Sequence, residues 1–142
     1  MATTFRTDIV GGIEAVLVAF RTANPTLLLG VHRARPESFP DLPAAYIANR
    51  PEAITHDSGT RTRTMQPSVV VVRRITDNEE AMAAFDTLVD LLVDAFTAVP
   101  QLAANTIWDQ LTVADEDAPF GDYDFAAVRF TFGDVSIMEG RI

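Results

Sequence analysis

Three stretches of this chain hold residue types that could do chemistry. The first is THDSG, residues 55–59, which sets His56, Asp57 and Ser58 side by side. A nucleophile, its base and the orienting acid must converge from separate points in space, and three adjacent residues cannot aim at one another. No G-x-S-x-G elbow accompanies them, so the stretch reads as a polar turn. The second is DEDAPFGDYD, residues 115–124, with five carboxylates in ten residues. A calcium loop needs oxygens at set positions around a sharp glycine turn, and the EF-hand spacing is absent. That stretch reads as a solvated acidic loop. The third is His32, beside Arg33 and Arg35. With no second histidine nearby and no cysteine in the chain, it lacks companions for a metal. Gly11-Gly12 lies inside a helical pattern with no lysine after it, which is not a phosphate loop. The residues thus point to no catalytic, cofactor or metal site, and the chain is expected not to be an enzyme.

What remains is charge arranged on surfaces. In SGTRTRTMQPSVVVVRR, residues 58–74, strand alternation puts Thr60, Thr62 and Thr64 on one face and Arg61 and Arg63 on the other. Asp86, Asp90 and Asp94 recur every fourth residue along a helical stretch. Like charges at that spacing cost roughly a few tenths of a kcal/mol per pair unless a cation lies near. The net charge is −9, divided as +3 over residues 1–75 and −12 over residues 76–142. Every cation is arginine, which suits bidentate contacts across interfaces. An acidic chain is a poor general nucleic-acid binder. Only Arg61, Arg63, Arg73 and Arg74 could build a basic face for such a partner. A molecule basic in one half and acidic in the other can instead pair head-to-tail with its own copies, and such contacts close into rings when the rotation permits. Arg61, Arg63, Asp86, Asp90 and Asp94 are therefore the candidate interface, arginines of one subunit meeting carboxylates of a neighbour.

These residues need elements to position them. At 142 residues and 48% apolar, the chain is long and apolar enough for one domain with a real core. Residues 5–22 carry an apolar stripe of Ile9, Ile13, Val16, Leu17 and Phe20, which predicts a helix with Thr7 as N-cap. Gly11 and Gly12 weaken it and would let a neighbour approach closely. Residues 27–34 predict a short strand, then a loop stiffened by Pro36, Pro40 and Pro43. Residues 44–49 predict a strand and 50–59 an exposed connection. Residues 60–66 predict a strand that ends at Pro67. Four valines in 68–75 predict a strand buried on both faces, hence central. Residues 77–98 predict the strongest helix, capped by Thr76 or Asp77, with Met82, Phe85, Val89, Leu92 and Phe96 on its apolar stripe. Residues 106–114 and 125–132 predict two paired strands, and 133–142 carry no clear pattern. Strands on either side of one long helix give an α+β fold, a mainly antiparallel sheet with two principal helices packed on it. No apolar run reaches the roughly 18 residues that span a bilayer. Asp8 and Glu14 inside the first apolar pattern are unlike a signal peptide. The expected setting is the cytoplasm, or a particle assembled there.

The layout also resembles a known family. LLLGVHRARP, then LPAAYIANRPEAITHDSGTRTRTMQPSVVVVRR, then DNEEAMAAFDTLVDLLVDAF and a closing GDYDFAAVRFTF look like the tail terminator, or tail-completion, proteins of long-tailed bacteriophages, especially those of actinobacterial hosts. The resemblance covers nearly the whole chain, through structural patterns and no catalytic signature. It implies an α+β subunit of a homo-hexameric ring that caps the head-proximal end of the tail tube. The ring would end tube polymerisation and offer the head–tail joining surface. Its implied partners are its own copies, the tail tube protein and a head–tail connector or neck protein, with no membrane and no cofactor. DNA would pass through the lumen without specific binding, and surplus carboxylates there would keep phosphate from sticking. Another neck or connector ring subunit is the alternative within this class. A small enzyme or ligand-binding domain is the alternative outside it.

Overall fold

The valine run organises the molecule. In the computed structural model, which describes residues 5–48, 51–75, 78–99, 101–117 and 124–139, Val69, Val70, Val71 and Val72 are all fully buried. They belong to the central strand of a five-stranded sheet. In chain order the elements are α1 (Phe5–Ala23), β1 (Gly30–His32), β2 (Ala44–Ala48), β3 (Glu52–Asp57), β4 (Thr60–Met65), β5 (Ser68–Arg74), α2 (Glu79–Thr97), β6 (Gln110–Asp117), β7 (Phe125–Gly133) and β8 (Val135–Glu139). The sheet order is β1-β2-β5-β7-β6, and only the β1–β2 pair is parallel. The α+β class with a largely antiparallel sheet holds.

Alternation sends Val69 and Val71 to one face and Val70 and Val72 to the other. The first face carries both helices. Ile9, Ile13 and Leu17 of α1 and Leu88, Leu92 and Phe96 of α2 close on Ile47, Val128, Phe130 and Phe132. The second face is covered near Val70 and Val72 by the proline-stiffened loop, which lays Phe39 and Leu42 against Tyr46 and Phe125. The Phe39 ring centroid is 6.1 Å from Tyr46 and 6.3 Å from Phe125. Pro43 follows a cis peptide bond.

Where the strands meet their breakers, a second sheet begins. β4 continues into β5 through Gln66-Pro67, and β7 into β8 through Asp134, whose φ is +47°. The joint is stitched: the Phe132 N–H donates to the Pro67 carbonyl (3.0 Å), the Gln66 N–H to that of Pro51 (3.1 Å), and the Gln66 amide to Asp134 (2.9 Å). Beyond it lies a three-stranded sheet, β3-β4-β8. Its base shares the core through fully buried Met65 and Val135. Its far end projects as an arm, with residues 53–60 all exposed.

Several expectations are corrected. Residues 52–57, expected as a connection, form β3. Their mixed, mostly exposed side chains hide the strand, but Ser58-Gly59, with φ of +48° and +86°, is a two-residue hairpin turn that pairs β3 with β4. Residues 135–139, expected to be patternless, form β8, because β4 offers them a free edge. Thr7 lies within α1, which already begins at Phe5. The N-cap of α2 is Asn78, whose side-chain oxygen accepts from the Ala81 N–H at 3.1 Å. Thr76 and Asp77 lie outside the described residues. Met82 is 44% exposed, so the buried stripe of α2 starts at Phe85. The first predicted strand shrinks to Gly30–His32, and the strand predicted at 106–114 runs instead from Gln110 to Asp117. Ile107 still makes an isolated bridge to Ser136.

Candidate subunit interface

The five residues singled out by charge fall on two separate surfaces. Arg61 and Arg63 stand on the arm, and Asp86, Asp90 and Asp94 on the exposed side of α2.

On the arm, register decides what the arginines face. Glu52 lies opposite Met65, Ile54 opposite Arg63, and His56 opposite Arg61. All six share one face, and at its base that face is the core side, since Met65 is buried. The opposite face carries Thr55, Thr62, Thr64 and Ser136. Arg63 thus meets its carboxylate within its own chain: its Nε donates to Glu52 Oε1 at 2.8 Å. Arg6 donates to Glu52 Oε2 at 2.8 Å from the N-terminal turn of α1. The Arg63 guanidinium also lies 5.0 Å from the centre of the Phe5 ring. The Glu52 side chain is only 9% exposed and that of Arg63 17%. This clamp ties the arm to α1. Neither Glu52 nor Arg6 was singled out from the sequence. The Ser58-Gly59 turn was the available signal, because it sets Glu52 two strand positions from the cross-strand partner of Arg63.

Burial works against the charge on Glu52, but the hydrogen bonds from Arg63 and Arg6, with their positive charges, outweigh it and hold the carboxyl below the usual range. A depressed acid contributes stability above its unfolded pKa of about 4.3, and loses that contribution as pH falls through the folded value. Glu52→Gln should therefore cost about 2 kcal/mol at neutral pH, where a charged partner is removed from a shielded pair. In denaturant melts the gap between variant and parent should close as pH drops below about 4. A gap that persists unchanged into acid would assign the loss to packing and not to charge.

Arg73 and Arg74, the other two candidate cations, do not join this face. They end β5, at the far end of the strand run from the arm. Arg73 lies over Phe85 at 5.2 Å and Arg74 over Phe125 at 5.4 Å, on opposite faces of the sheet. No single basic surface unites the four.

On the other flank, Asp86 opens onto a cleft of about 570 Å³ between α2 and strands β7 and β6, the latter the sheet edge, with Arg73, Val113, Asp115 and Glu116 among its lining. Glu116 is engaged by Arg129 on the other face of the sheet. Beside that pair, burial pushes the Tyr46 phenol up, while Arg129 and Arg35 act against the shift and Glu116 adds to it. An apolar cleft of about 290 Å³ lies beyond Phe85, bounded by Leu27, Leu42 and Pro43.

The other stretches are placed as follows. His56 and Asp57 point to opposite faces of β3, and the Ser58 hydroxyl lies 3.3 Å from the Asp57 carboxylate in the turn. Of the acidic stretch, Asp115–Asp117 belong to β6, and residues 118–123 lie outside the described residues. Among the described residues no group of three His, Cys, Asp or Glu side chains is placed to hold a metal ion. Arg33, beside His32, donates to Glu14 of α1 at 2.9 Å, and this bond and charge raise its pKa. No helix among the described residues is long and apolar enough to cross a membrane.

The geometry defines an α+β domain with a clamped, projecting arm at one end and an acidic cleft at the other. No protein-family model matches the chain, and no curated protein matches it in sequence. Among solved structures it is similar to a chain of the virion of a native gene transfer agent (GTA) particle. The TM-score is 0.59 at 12% identity, over 92% of this chain and 98% of that one. At that identity the likeness is one of fold.

Proposed function

We propose that this chain is a structural subunit of a phage-type virion, specifically a tail terminator. Six copies form a ring on the head-proximal end of the tail tube, end tube growth and present the joining surface for the head. One observation carries the reading. The correspondence with a virion chain runs nearly end to end in both molecules, so it compares whole subunits and not a shared fragment. The tail-terminator pattern noted in the sequence supports the finer assignment. So does the split into a hairpin arm and an acidic flank, which suits heterologous contacts that close on themselves. The subunit works by assembly and not by catalysis. It binds neighbouring virion proteins, and DNA passes without sequence readout.

Negative-stain imaging of the purified protein tests this directly. Six-fold rings with a central hole are expected, and added rings should cap growing tail tubes and shorten them. A protein that stays monomeric at every concentration and salt would sink the proposal. Rings that bind the neck and leave tube length unchanged would favour a connector subunit.

A further inference from the structure

We infer that the apolar cleft beside Phe85 receives the Ile107 side chain of a second copy of this chain, with Asp109 of that copy meeting Arg73. The inference rests on the proposed ring and names one pair of surfaces that close it.

Ile107 is 67% exposed, more than any other large apolar residue described. Its backbone is nevertheless fixed. The Ile107 N–H donates to the Ser136 carbonyl at 3.1 Å, and the Ile107 carbonyl accepts from the Ser136 N–H at 2.9 Å. The residues on either side are anchored inward. Thr106 is fully buried and its hydroxyl donates to the Ala103 carbonyl, while the Trp108 ring meets Phe132. Pairing puts Ile107 on the face of Ser136 and Thr64, so it stands out among hydroxyls. An apolar side chain held outward on a rigid backbone loses little freedom when it docks. Two residues on, the exposed Asp109 carboxylate makes no hydrogen bond or ion pair among the described residues.

The cleft is complementary. Its volume of about 290 Å³ is ample for an isoleucine side chain. Leu27, Leu42, Pro43 and Phe85 make it apolar, and Arg73 and Arg74 stand in the same lining. The Arg73 guanidinium is held over the Phe85 ring at 5.2 Å, and neither arginine makes an ion pair among the described residues. Their cross-strand partners on β7 are Ala126 and Phe125, which carry no charge. Asp86 and Asp115 share the neighbouring cleft with Arg73 but form no ion pair with it. An exposed isoleucine with an unpaired carboxylate thus matches an apolar cleft with an unpaired arginine in both apolar character and charge.

The occupant must come from a neighbour. Asp109 lies beside Gly133 at one end of β7, and Arg73 pairs with Ala126 near the other end. Extended backbone over that length spans roughly 20 Å or more. A projection at one end of a subunit and its receptor at the other is a head-to-tail contact, which each copy makes once as donor and once as acceptor.

The chain has no cysteine, so introduced thiols are unique. Ala104, three residues before Ile107, and Ala84, in the cleft lining, are both exposed. The double variant Ala84→Cys/Ala104→Cys is treated with a short bismaleimide. A ladder of covalent multimers up to the hexamer is expected on denaturing gels, whereas either single variant should stop at dimers. Ile107→Ser should weaken the ladder at least about tenfold. Asp109→Arg should do the same, and adding Arg73→Asp should restore it. Circular dichroism confirms that each variant is folded. Six-fold rings without the ladder, or a ladder indifferent to Ile107→Ser, would overturn this docking and leave the ring standing. So would an Ala84→Cys thiol shielded only when tail tubes are added, which would give the cleft to the tube. No association by sedimentation at any salt would overturn both.

Discussion

Truncating Phe96 to alanine should cost about 4 kcal/mol, in the range for removing a fully buried aromatic side chain. Phe96 has no exposed surface. It meets Phe130 edge-on at 5.7 Å and Phe132 at 5.1 Å, and Phe132 in turn meets Trp108 at 5.0 Å. The Trp108 indole N–H donates to the Val99 carbonyl at 3.0 Å, closing the cluster back onto the segment after α2. Each such ring pair contributes about 0.5–1.5 kcal/mol beyond its buried area. The void could not collapse easily, since Phe130 and Phe132 sit on a strand paired on both sides. Thermal melts should show a fall of roughly 10 °C for a chain of this size. Phe96→Leu, which keeps most of the volume, should lose about a third as much. A loss below about 1 kcal/mol for the alanine variant would mean that α2 is held elsewhere.

Gly12→Ala should destabilise the chain by about 3 kcal/mol, the upper end for overpacking a rigid site. The direction is the informative part. In a helix interior, alanine is ordinarily better than glycine by roughly 0.5–1 kcal/mol. Here a Cβ on Gly12 would lie 1.7 Å from the Leu102 carbonyl oxygen and 2.7 Å from its carbon. Those are backbone atoms, so no side-chain rotation relieves the clash, and the segment between α2 and β6 would have to move off α1. Gly11→Ala is the internal control. Its nearest neighbour would be a terminal nitrogen of Arg33 at 3.9 Å, so it should be neutral or stabilising by up to about 1 kcal/mol. Equal effects at the two glycines in urea melts would contradict the close approach of Leu102.

For function, both substitutions bear on the same question. α2 carries Asp86, Asp90 and Asp94, and its seating sets the distance from Asp86 to Asp115 across the cleft. The Glu52 clamp sets the angle of the arm. The surfaces proposed for assembly therefore depend on how α2 and the arm are seated on the core.

Some of this is legible in the chain alone. Four valines in a row dictate a strand covered on both faces, because no solvent-exposed face can carry them. The spacing of Phe85, Leu92 and Phe96 dictates an amphipathic helix. The alternation of Thr60–Thr64 with Arg61 and Arg63 dictates two chemically distinct faces. The close approach at Gly12 was also readable, because a glycine pair in a helix needs a packing reason. These are local effects, in which periodicity and side-chain chemistry settle the outcome without knowledge of distant neighbours.

Tertiary structure alone decided the rest. Residues 52–57 and 135–139 have too little apolar pattern to declare themselves, and they become strands only because β4 offers edges for their backbone groups. Once β3 forms, Glu52 falls beside Arg63, and an arginine face that alternation leaves undirected turns toward α1. Asp86 and Asp115 are 29 positions apart and become neighbours only because β6 lies at the sheet edge beneath α2. Strand order and pairing set which charges meet, and these depend on the whole core and not on any one stretch of it.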